Sequence, residues 1–479
     1  MKQVARLLLV FLTLTAAIAR ADLGSDVDAV LRDKLLAKAT VGIEIVALGD
    51  TPTATKPMLR RSHATPLIPA SNLKLVTTAA ALERLGGDFK FDTRLVKRGN
   101  DLAIIGDGDP TLGDAELIKK FGWTTTTVFD SWAAAIKQMN VNAVGDVVVD
   151  DSVFDETFVH PNWPTDQLHL RYVAGVAGLN LNANCIDVYL NPTARGSVVN
   201  YSLDPATSYA TVQNNCYTSS ENAVSLFMEP DTRVINLKGT SPGSRQGLSV
   251  TVDDPALFAA TVLSESLTRA GVSSSGAVRR DRTVRAGIDA KSPDIIVLAH
   301  HTTPLSAVLA RANKDSMNLY AESLCKRLGF AASTQPGSWE NGTVAMGAFL
   351  TALGVPVDQF KFDDGCGLSK QNALSAGALS TMLQHMFYGP NRQAYIDSLA
   401  IAGVDGTLSD RFRGTDLSGR VYAKSGFVNG VSTLSGYFQG RDDRWYAFSI
   451  LMNGIPPKSN SMIKSLQERI VKAANAATR

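Results

Sequence analysis

The stretch PASNLKLVTTAAALERLG, residues 69–86, places a serine and a lysine at the start of an apolar helix. Its leucines and alanines recur at helical spacing, and two glycines end the pattern. Ser71 and Lys74 are three residues apart, so a helix puts them on one face. A serine hydroxyl needs an adjacent base to become a nucleophile, and a lysine can be that base when burial or a nearby cation lowers its pKa. The stretch therefore contains a candidate catalytic pair.

The Ser-x-x-Lys spacing alone does not identify a catalytic pair. It occurs again at Ser323–Lys326 and at Ser461–Lys464. A polar helix start accounts equally well for any one of the three. The choice of the catalytic pair therefore depends on which other motifs follow each pair along the chain.

The N-terminus, MKQVARLLLVFLTLTAAIARAD, has the pattern of a secretory signal peptide. A basic start precedes an apolar run and a small-x-small cleavage site, which predicts a signal peptide at residues 1–21. The alternative is a membrane anchor, but the apolar run is short for a bilayer, and no other stretch reaches spanning length. We therefore expect a periplasmic protein with no transmembrane segment after signal cleavage.

Charge and length limit the function classes. Cleavage removes three of the 47 basic residues and none of the 45 acidic ones, so the mature chain is nearly neutral. It lacks the basic surface that nucleic acid requires, and no nucleic-acid partner is expected. The length of 479 residues exceeds one ordinary core and predicts two or three domains.

The four cysteines of an exported chain allow two disulfides in three connectivities. Cys185 and Cys216 lie in one polar, loop-rich region, and this bridge is the favoured interpretation. Whether Cys325 and Cys366 pair stays open at this point.

Helical and strand patterns at both ends of the mature chain predict one α/β domain built from both termini. The strands GVSTLSGYF and RWYAFSILMN precede an amphipathic C-terminal helix. Between about residues 90 and 290, short β-like runs and many small polar residues indicate one or two inserted β-rich domains.

A second motif, Lys424-Ser425-Gly426, stands at the start of a predicted strand. Its lysine would lower the pKa of the candidate base and attract an anionic substrate. The serine hydroxyl can bind a carboxylate, and the glycine lets a substrate backbone lie close to the strand. The backbone N–H groups of Phe427 and Ser71 are candidates for an oxyanion hole.

A third motif precedes another predicted helix. Ser316 supplies a hydroxyl that can relay protons, and Asn318 supplies an amide that can bind substrate. Of the three Ser-x-x-Lys serines, Ser71 alone precedes both other motifs, because Ser323 and Ser461 follow Ser316. The order therefore selects Ser71.

Ordered Ser-x-x-Lys, Ser-x-Asn and Lys-[Ser/Thr]-Gly motifs are typical of penicillin-recognising serine enzymes. Within that group the chain resembles the class C low-molecular-mass penicillin-binding proteins, the D-alanyl-D-alanine carboxypeptidase/endopeptidase family. The long interval from Ser71 to Ser316 resembles the family's insertion, and the stretches GDGDPTL, DGCGLSKQN and AGVDGTLSDRF agree.

The resemblance implies an α/β fold with a DD-peptidase/β-lactamase-like domain, an antiparallel sheet flanked by helices, and small inserted β-rich domains. The implied ranges are residues 22–90 and 291–479 for the catalytic domain, 91–165 and 250–290 for inserted domain II, and 166–249 for inserted β-rich domain III.

The resemblance also implies roles for the site residues, with no metal or cofactor. Ser71 attacks the carbonyl between two terminal D-alanines, Lys74 takes its proton, Ser316 relays a proton to the leaving D-alanine, Asn318 holds the acyl-side peptide, and Lys424 and Ser425 bind the terminal carboxylate beside Gly426 and Phe427. Peptidoglycan stem peptides and β-lactams are the implied partners. Asp166 and Lys370 would bind a diaminopimelate side chain, and a Cys185–Cys216 pair occurs in some relatives.

The chain departs from the family pattern at four positions. Ser425 replaces threonine, Phe427 replaces a small hydroxyl residue, Cys366 replaces serine, and Lys370 replaces arginine, which loses bidentate carboxylate binding. The alternatives are a β-lactamase or a Ser-x-x-Lys esterase, or a non-catalytic wall-binding or penicillin-sensing protein. Carboxypeptidase and endopeptidase action are not separable from the sequence.

Overall fold

The computed structural model describes residues 22–478, and the predicted signal peptide lies outside this range. Among the described residues, no helix is both long enough and apolar enough to cross a membrane.

The described chain alternates between helices and strands throughout its length. The helices are α1 (Leu23–Leu31), α2 (Leu73–Leu85), α3 (Ala115–Phe121), α4 (Thr127–Gln138), α5 (Pro255–Arg269), α6 (Val284–Asp289), α7 (Leu305–Lys314), α8 (Asn318–Ala332), α9 (Trp339–Ala352), α10 (Ala376–Tyr388), α11 (Arg392–Asp397) and α12 (Asn460–Ala476). The strands are β1 (Thr40–Ala47), β2 (Lys56–Arg61), β3 (Lys90–Arg98), β4 (Asp101–Ile105), β5 (Ala143–Val144), β6 (Val147–Asp150), β7 (Cys185–Asn191), β8 (Asn200–Asp204), β9 (Thr211–Thr218), β10 (Ala223–Glu229), β11 (Val234–Ser241), β12 (Gln246–Thr251), β13 (Ser273–Ser274), β14 (Val278–Arg280), β15 (Ile295–Pro304), β16 (Phe360–Lys361), β17 (Ala373–Leu374), β18 (Ala400–Ile401), β19 (Val421–Val428), β20 (Val431–Gln439) and β21 (Trp445–Asn453).

A six-stranded antiparallel sheet joins the two ends of the chain, in the order β18-β19-β20-β21-β1-β2. Side chains on a strand alternate between faces. On β21, Ala447 and Leu451 therefore pack with α2, α8, α9 and α10, whereas Phe448 and Ile450 pack with α1 and α12. The prediction of an α/β domain with helices on both faces of an antiparallel sheet, built from both termini, is confirmed.

The region between the two segments that form the six-stranded sheet contains two β-rich parts. Five strands form a sheet in the order β14-β6-β4-β3-β15, and α4 and α5 pack against it. Strands β7 to β12 form two three-stranded sheets. Because β3 pairs with β15, the chain leaves and re-enters the catalytic part through neighbouring strands. The exact domain boundaries stay a prediction.

The predicted Cys185–Cys216 disulfide is wrong, and all four cysteines are free and buried. Cys185 begins β7, whereas Cys216 lies on β9 in the other three-stranded sheet. Cys216 packs with Val188 and Leu190, which lie further along β7. At ~3.3 Å per residue, Val188 and Leu190 lie about 10–16 Å from Cys185 along β7. Cys216 belongs beside them, whereas the Cα atoms of two bridged cysteines lie within ~7 Å of each other.

The free thiols lead to a direct chemical prediction. We expect the unfolded protein, with no reductant added, to gain four carbamidomethyl groups from iodoacetamide, because each of the four cysteines is a thiol. The folded protein should react far more slowly, since burial raises the thiol pKa values, to about 12 for Cys185. Intact-mass spectrometry gives the count, and only two additions after unfolding would contradict the assignment.

Candidate active site

A short turn, Ala70–Asn72, leads into α2 and presents a half-buried Ser71. One helical turn further, Lys74 is completely buried. Its Nζ lies 3.0 Å from Ser71 Oγ and donates to Asn318 Oδ1 at 2.7 Å and to the Cys366 carbonyl at 2.9 Å. Three fixed oxygens therefore surround this amine, and one of them is the candidate nucleophile.

Burial decides the protonation of the two lysines at the site. Removing the Lys74 amine from water lowers its pKa, and the negative charges of the nearby Glu322 and Asp364 oppose that fall. Lys424 has a pKa well below its usual value, first because of burial and then because of the charge on Lys74. These directions favour a neutral amine, which can accept the hydroxyl proton of Ser71.

Lys424 and Ser316 form the second part of the site. Lys424 Nζ donates to Ser316 Oγ at 2.9 Å and to the Ser425 carbonyl at 2.6 Å. Ser316 has a φ of 60° and stands between the end of α7 and the start of α8. This left-handed conformation is unfavourable for a serine, and the surrounding contacts hold it in place.

Strand β19 runs directly beside the serine, and only glycine fits at the point of contact. A Cβ on Gly426 would lie 2.8 Å from the Ser71 nitrogen and 2.3 Å from Thr433 Oγ1. Thr433 in turn donates to the Pro69 carbonyl at 3.0 Å, which ties the turn before α2 to β20. The close approach predicted for Gly426 is therefore made by the protein's own backbone.

The outer edge of β19 is open beside the serine. Strand β18 pairs only with Tyr422 and Ala423, so in the described chain no strand pairs with the outer edge of residues 425–428. Ser425 Oγ donates to Thr407 Oγ1 at 3.0 Å, and the side chain of Phe427 is half exposed. An extended peptide can add to such an edge through main-chain hydrogen bonds.

A cleft of about 550 Å³ extends from this edge. It is lined by Asn162, Pro164, Gln167, Tyr172, Leu368, Lys370, Gln371, Phe427, Val428 and Asn429. Lys370 is therefore part of the wall, whereas Asp166 is not. Asp166 lies near Tyr172, since its charge adds to the effect of burial in raising the tyrosine pKa.

The inserted region reaches the site through the backbone of Tyr172. Its carbonyl accepts a hydrogen bond of 2.7 Å from Asn318 Nδ2. Asn318 therefore uses both ends of its side chain, with the oxygen on Lys74 and the nitrogen on the inserted loop. Sequence reasoning missed this contact, because a backbone carbonyl has no residue signature.

Sequence reasoning also missed two buried acids behind Lys74. Glu322 accepts hydrogen bonds from the backbone N–H groups of Gly365 and Cys366. Asp364 accepts them from the N–H groups of Gly367 and Ser369 and from the indole of Trp163. The sequence contains a signal for Glu322, which follows Asn318 by one helical turn on a helix whose neighbouring residues on that face are apolar.

Within residues 22–478, Glu322, Asp364 and Cys366 are the one group whose ligand atoms lie close enough to hold a metal ion. Their chemistry does not favour this role. The carboxylate oxygens already accept backbone hydrogen bonds, and burial, together with the two neighbouring acids, raises the pKa of Cys366 well above its usual value. Since metals bind the thiolate, this cluster is better described as the hydrogen-bonded support of a turn.

The second Ser-x-x-Lys pair serves a different purpose. Lys326 is buried on α8 and donates to Asp155 Oδ1 and to the Thr157 carbonyl, both at 2.6 Å. Its ammonium also lies 3.8 Å from the centre of the Trp339 ring. Lys326 therefore attaches the inserted region to the catalytic domain, and Ser323 Oγ is not bonded to it. The third pair begins at the exposed Ser461 on α12.

Comparisons with solved structures agree on the fold. Penicillin binding protein 4 (dacB) from Haemophilus influenzae superimposes with a TM-score of 0.79, covering 95% of this chain and 99% of that one at 23% identity. At this identity the match establishes a shared architecture.

Sequence comparisons identify the family. A D-alanyl-D-alanine carboxypeptidase from Actinomadura sp. (strain R39) is 34% identical, covering 90% of this chain and 81% of the relative. The D-alanyl-D-alanine carboxypeptidase DacB of Haemophilus influenzae is 26% identical, with 81% of each chain covered. The profile of the D-Ala-D-Ala carboxypeptidase 3 (S13) family matches residues 23–477, and the chain belongs to that family.

Proposed function

We propose that the protein is a serine D-alanyl-D-alanine carboxypeptidase/endopeptidase that acts on peptidoglycan stem peptides through an acyl-enzyme at Ser71. The observation that carries this proposal is the buried Lys74 amine, 3.0 Å from Ser71 Oγ and held by two further acceptors. The names of the relatives support the substrate class. They favour neither a β-lactamase nor a non-catalytic wall protein.

Acylation begins with a proton transfer. Neutral Lys74 takes the hydroxyl proton as Ser71 Oγ attacks the carbonyl carbon between the terminal D-alanines. The backbone N–H groups of Ser71 and Phe427 stabilise the negative charge on the carbonyl oxygen. The carbon–nitrogen bond then breaks as Ser316 gives its hydroxyl proton to the departing amine of D-alanine. The proton held by Lys74 replaces it on Ser316, so Lys74 is neutral again. The peptide remains as an ester on Ser71.

Deacylation uses Lys74 as the base a second time. Lys74 accepts a proton from a water molecule, which attacks the ester carbonyl. The ester bond breaks, and Ser71 recovers its hydroxyl proton as the shortened peptide leaves with a new carboxylate. A β-lactam acylates the same oxygen by opening of its ring, and its acyl group stays on the enzyme longer.

The substrate carboxylate changes the balance of charge at the site. Lys424 has a strongly lowered pKa in the free protein, and an entering carboxylate beside it and Ser425 raises that pKa. A larger fraction of Lys424 is therefore protonated when the substrate is bound. The peptide lies along the open edge of β19, and Asn318 exchanges its hydrogen bond with the Tyr172 carbonyl for one with the acyl-side peptide.

The cleft beside Phe427 receives the side chain of the third stem-peptide residue. Its volume of about 550 Å³ accommodates a diaminopimelate side chain, and Lys370 in its wall offers a cation to the side-chain carboxylate. Asp166, near Tyr172, is assigned to the side-chain amine. The predicted signal peptide supports a periplasmic location for this chemistry.

Removing the nucleophile provides the first test. We expect Ser71→Ala to abolish both labelling by a fluorescent penicillin and release of D-alanine, because within residues 22–478 no other hydroxyl hydrogen-bonds to the Lys74 amine. Ser323→Ala and Ser461→Ala are matched controls from the two other Ser-x-x-Lys pairs and should keep both activities. Labelling of Ser71→Ala at the wild-type level would contradict the assignment.

The pH dependence of acylation tests the state of Lys74. A base must be unprotonated, so the acylation rate constant should rise with pH through the pKa of Lys74 and then become level. Because burial lowers that pKa, the midpoint should lie below the ordinary lysine value of 10.5. Stopped-flow acylation by a chromogenic cephalosporin measures the profile. The Lys464→Ala variant should give the same curve, and a midpoint near 10.5 would exclude Lys74 as the proposed base.

The cleft assignment has its own test. Lys370→Ala should raise KM for a D-Ala-D-Ala peptide carrying diaminopimelate by about tenfold, equivalent to ~1.4 kcal/mol of binding free energy. A peptide that lacks the side-chain carboxylate should be cleaved equally well by both proteins. Release of D-alanine measures both reactions, and equal losses for the two peptides would refute this role of Lys370.

A further inference from the structure

Glu322 lies on α8, one helical turn after Asn318, and its side chain is fully buried. Its Oε1 accepts the N–H of Cys366 at 2.6 Å, and its Oε2 accepts the N–H of Gly365 at 2.9 Å. Oε2 also accepts the indole N–H of Trp339 at 2.6 Å. Three donors therefore fix this carboxylate, and two of them belong to consecutive backbone units of one turn.

That turn, residues 363–369, packs directly on the segment that carries the nucleophile. The Gly365 carbonyl accepts a hydrogen bond of 2.6 Å from Thr77 of α2. A Cβ on Gly367 would lie only 1.9 Å from the Ala70 carbonyl oxygen. The turn therefore has little freedom to shift, and Glu322 fixes it from α8.

The same turn supplies an acceptor for the candidate base. Lys74 Nζ donates to the Cys366 carbonyl at 2.9 Å and to Asn318 Oδ1 at 2.7 Å. Asn318 holds the amine directly, and Glu322, four residues later on the same helix face, holds the backbone that provides the other acceptor. Both partners of the amine besides Ser71 are thus determined by α8.

We propose that Glu322 is a positioning residue for the general base, which it orients through the 363–369 turn and whose protonation it sets by its negative charge. This inference rests on the proposed role of Lys74. Glu322 does not touch the reacting atoms, so it acts through Lys74 alone.

The titratable groups around Glu322 define the direction of its effect. Asp364 and Cys366 face it from the turn, Cys325 and Lys326 from α8 itself, and Lys74 from α2. Trp339 on α9 contributes an uncharged donor. Burial, with Asp364 adding to it, raises the pKa of Glu322 to about 7. Its carboxylate opposes the fall in the pKa of Lys74, so loss of that charge lowers the pKa of Lys74 further.

Two substitutions separate position from charge. Glu322→Gln removes the charge and turns an amide N–H toward groups that are themselves donors. Glu322→Asp keeps the charge but shortens the side chain by one methylene, so it cannot reach all three donors. We expect both variants to lose at least tenfold in the second-order rate constant for acylation of Ser71 by a chromogenic cephalosporin. The acidic limb of the pH–rate profile should move to lower pH by half a unit or more in Glu322→Gln and stay in place in Glu322→Asp.

Glu44→Gln is the matched control, because Glu44 is a buried carboxylate of the same domain paired with Arg60 at 2.7 Å, outside the turn. It should keep the wild-type rate and profile, and thermal unfolding should verify that each variant folds. Wild-type acylation by Glu322→Gln, or equal rate losses in both Glu322 variants with no shift of the acidic limb, would overturn the proposal. If Glu322→Gln does not fold, an undiminished rate in Glu322→Asp overturns it. A wild-type protein that is not acylated at Ser71 would instead refute the proposed function.

Discussion

The buried amines of Lys74 and Lys424 are the constraint on which the rest of the site depends. Moving an ammonium out of water costs several kcal/mol, so each amine must find fixed acceptors or lose its proton. The acceptors of Lys74 come from the turn before α2, from α8 and from the 363–369 turn. Those of Lys424 come from the segment between α7 and α8 and from β19. The site is therefore complete only where these segments meet, on the sheet that joins the two ends of the chain.

The inserted region belongs to this arrangement. It is attached to α8 at the first residue of the helix, through the Tyr172 carbonyl on Asn318, and near its middle, through Asp155 on Lys326. One helix thus carries the amide of Asn318, the acid behind the candidate base and the cation that binds the insertion. A displacement of α8 would alter all three contacts together, so the stability of the insertion and the geometry of the base are coupled.

Order along the chain predicted which side chains meet at the candidate site, because Ser71, Ser316 and Lys424 were selected by the chemistry of their own side chains. The domain built from both termini was also predictable, because the chain begins with a helix and a strand and ends with two strands and a helix. The acceptors that hold Lys74 and Asn318 were not, because the carbonyls of Cys366 and Tyr172 belong to residues whose side chains do something else. The disulfide prediction failed for a related reason. Spacing along the chain does not reveal that two cysteines enter different sheets.

The contact at Gly426 limits how this enzyme can diversify. Any side chain at that position would collide with the backbone that presents the candidate nucleophile, so the position requires glycine whatever the substrate. The next residue, Phe427, is 51% exposed and borders the cleft, so it can change without disturbing the serine. A constrained position and a free one therefore stand side by side on one strand, and new substrate preferences are most readily acquired at the free one.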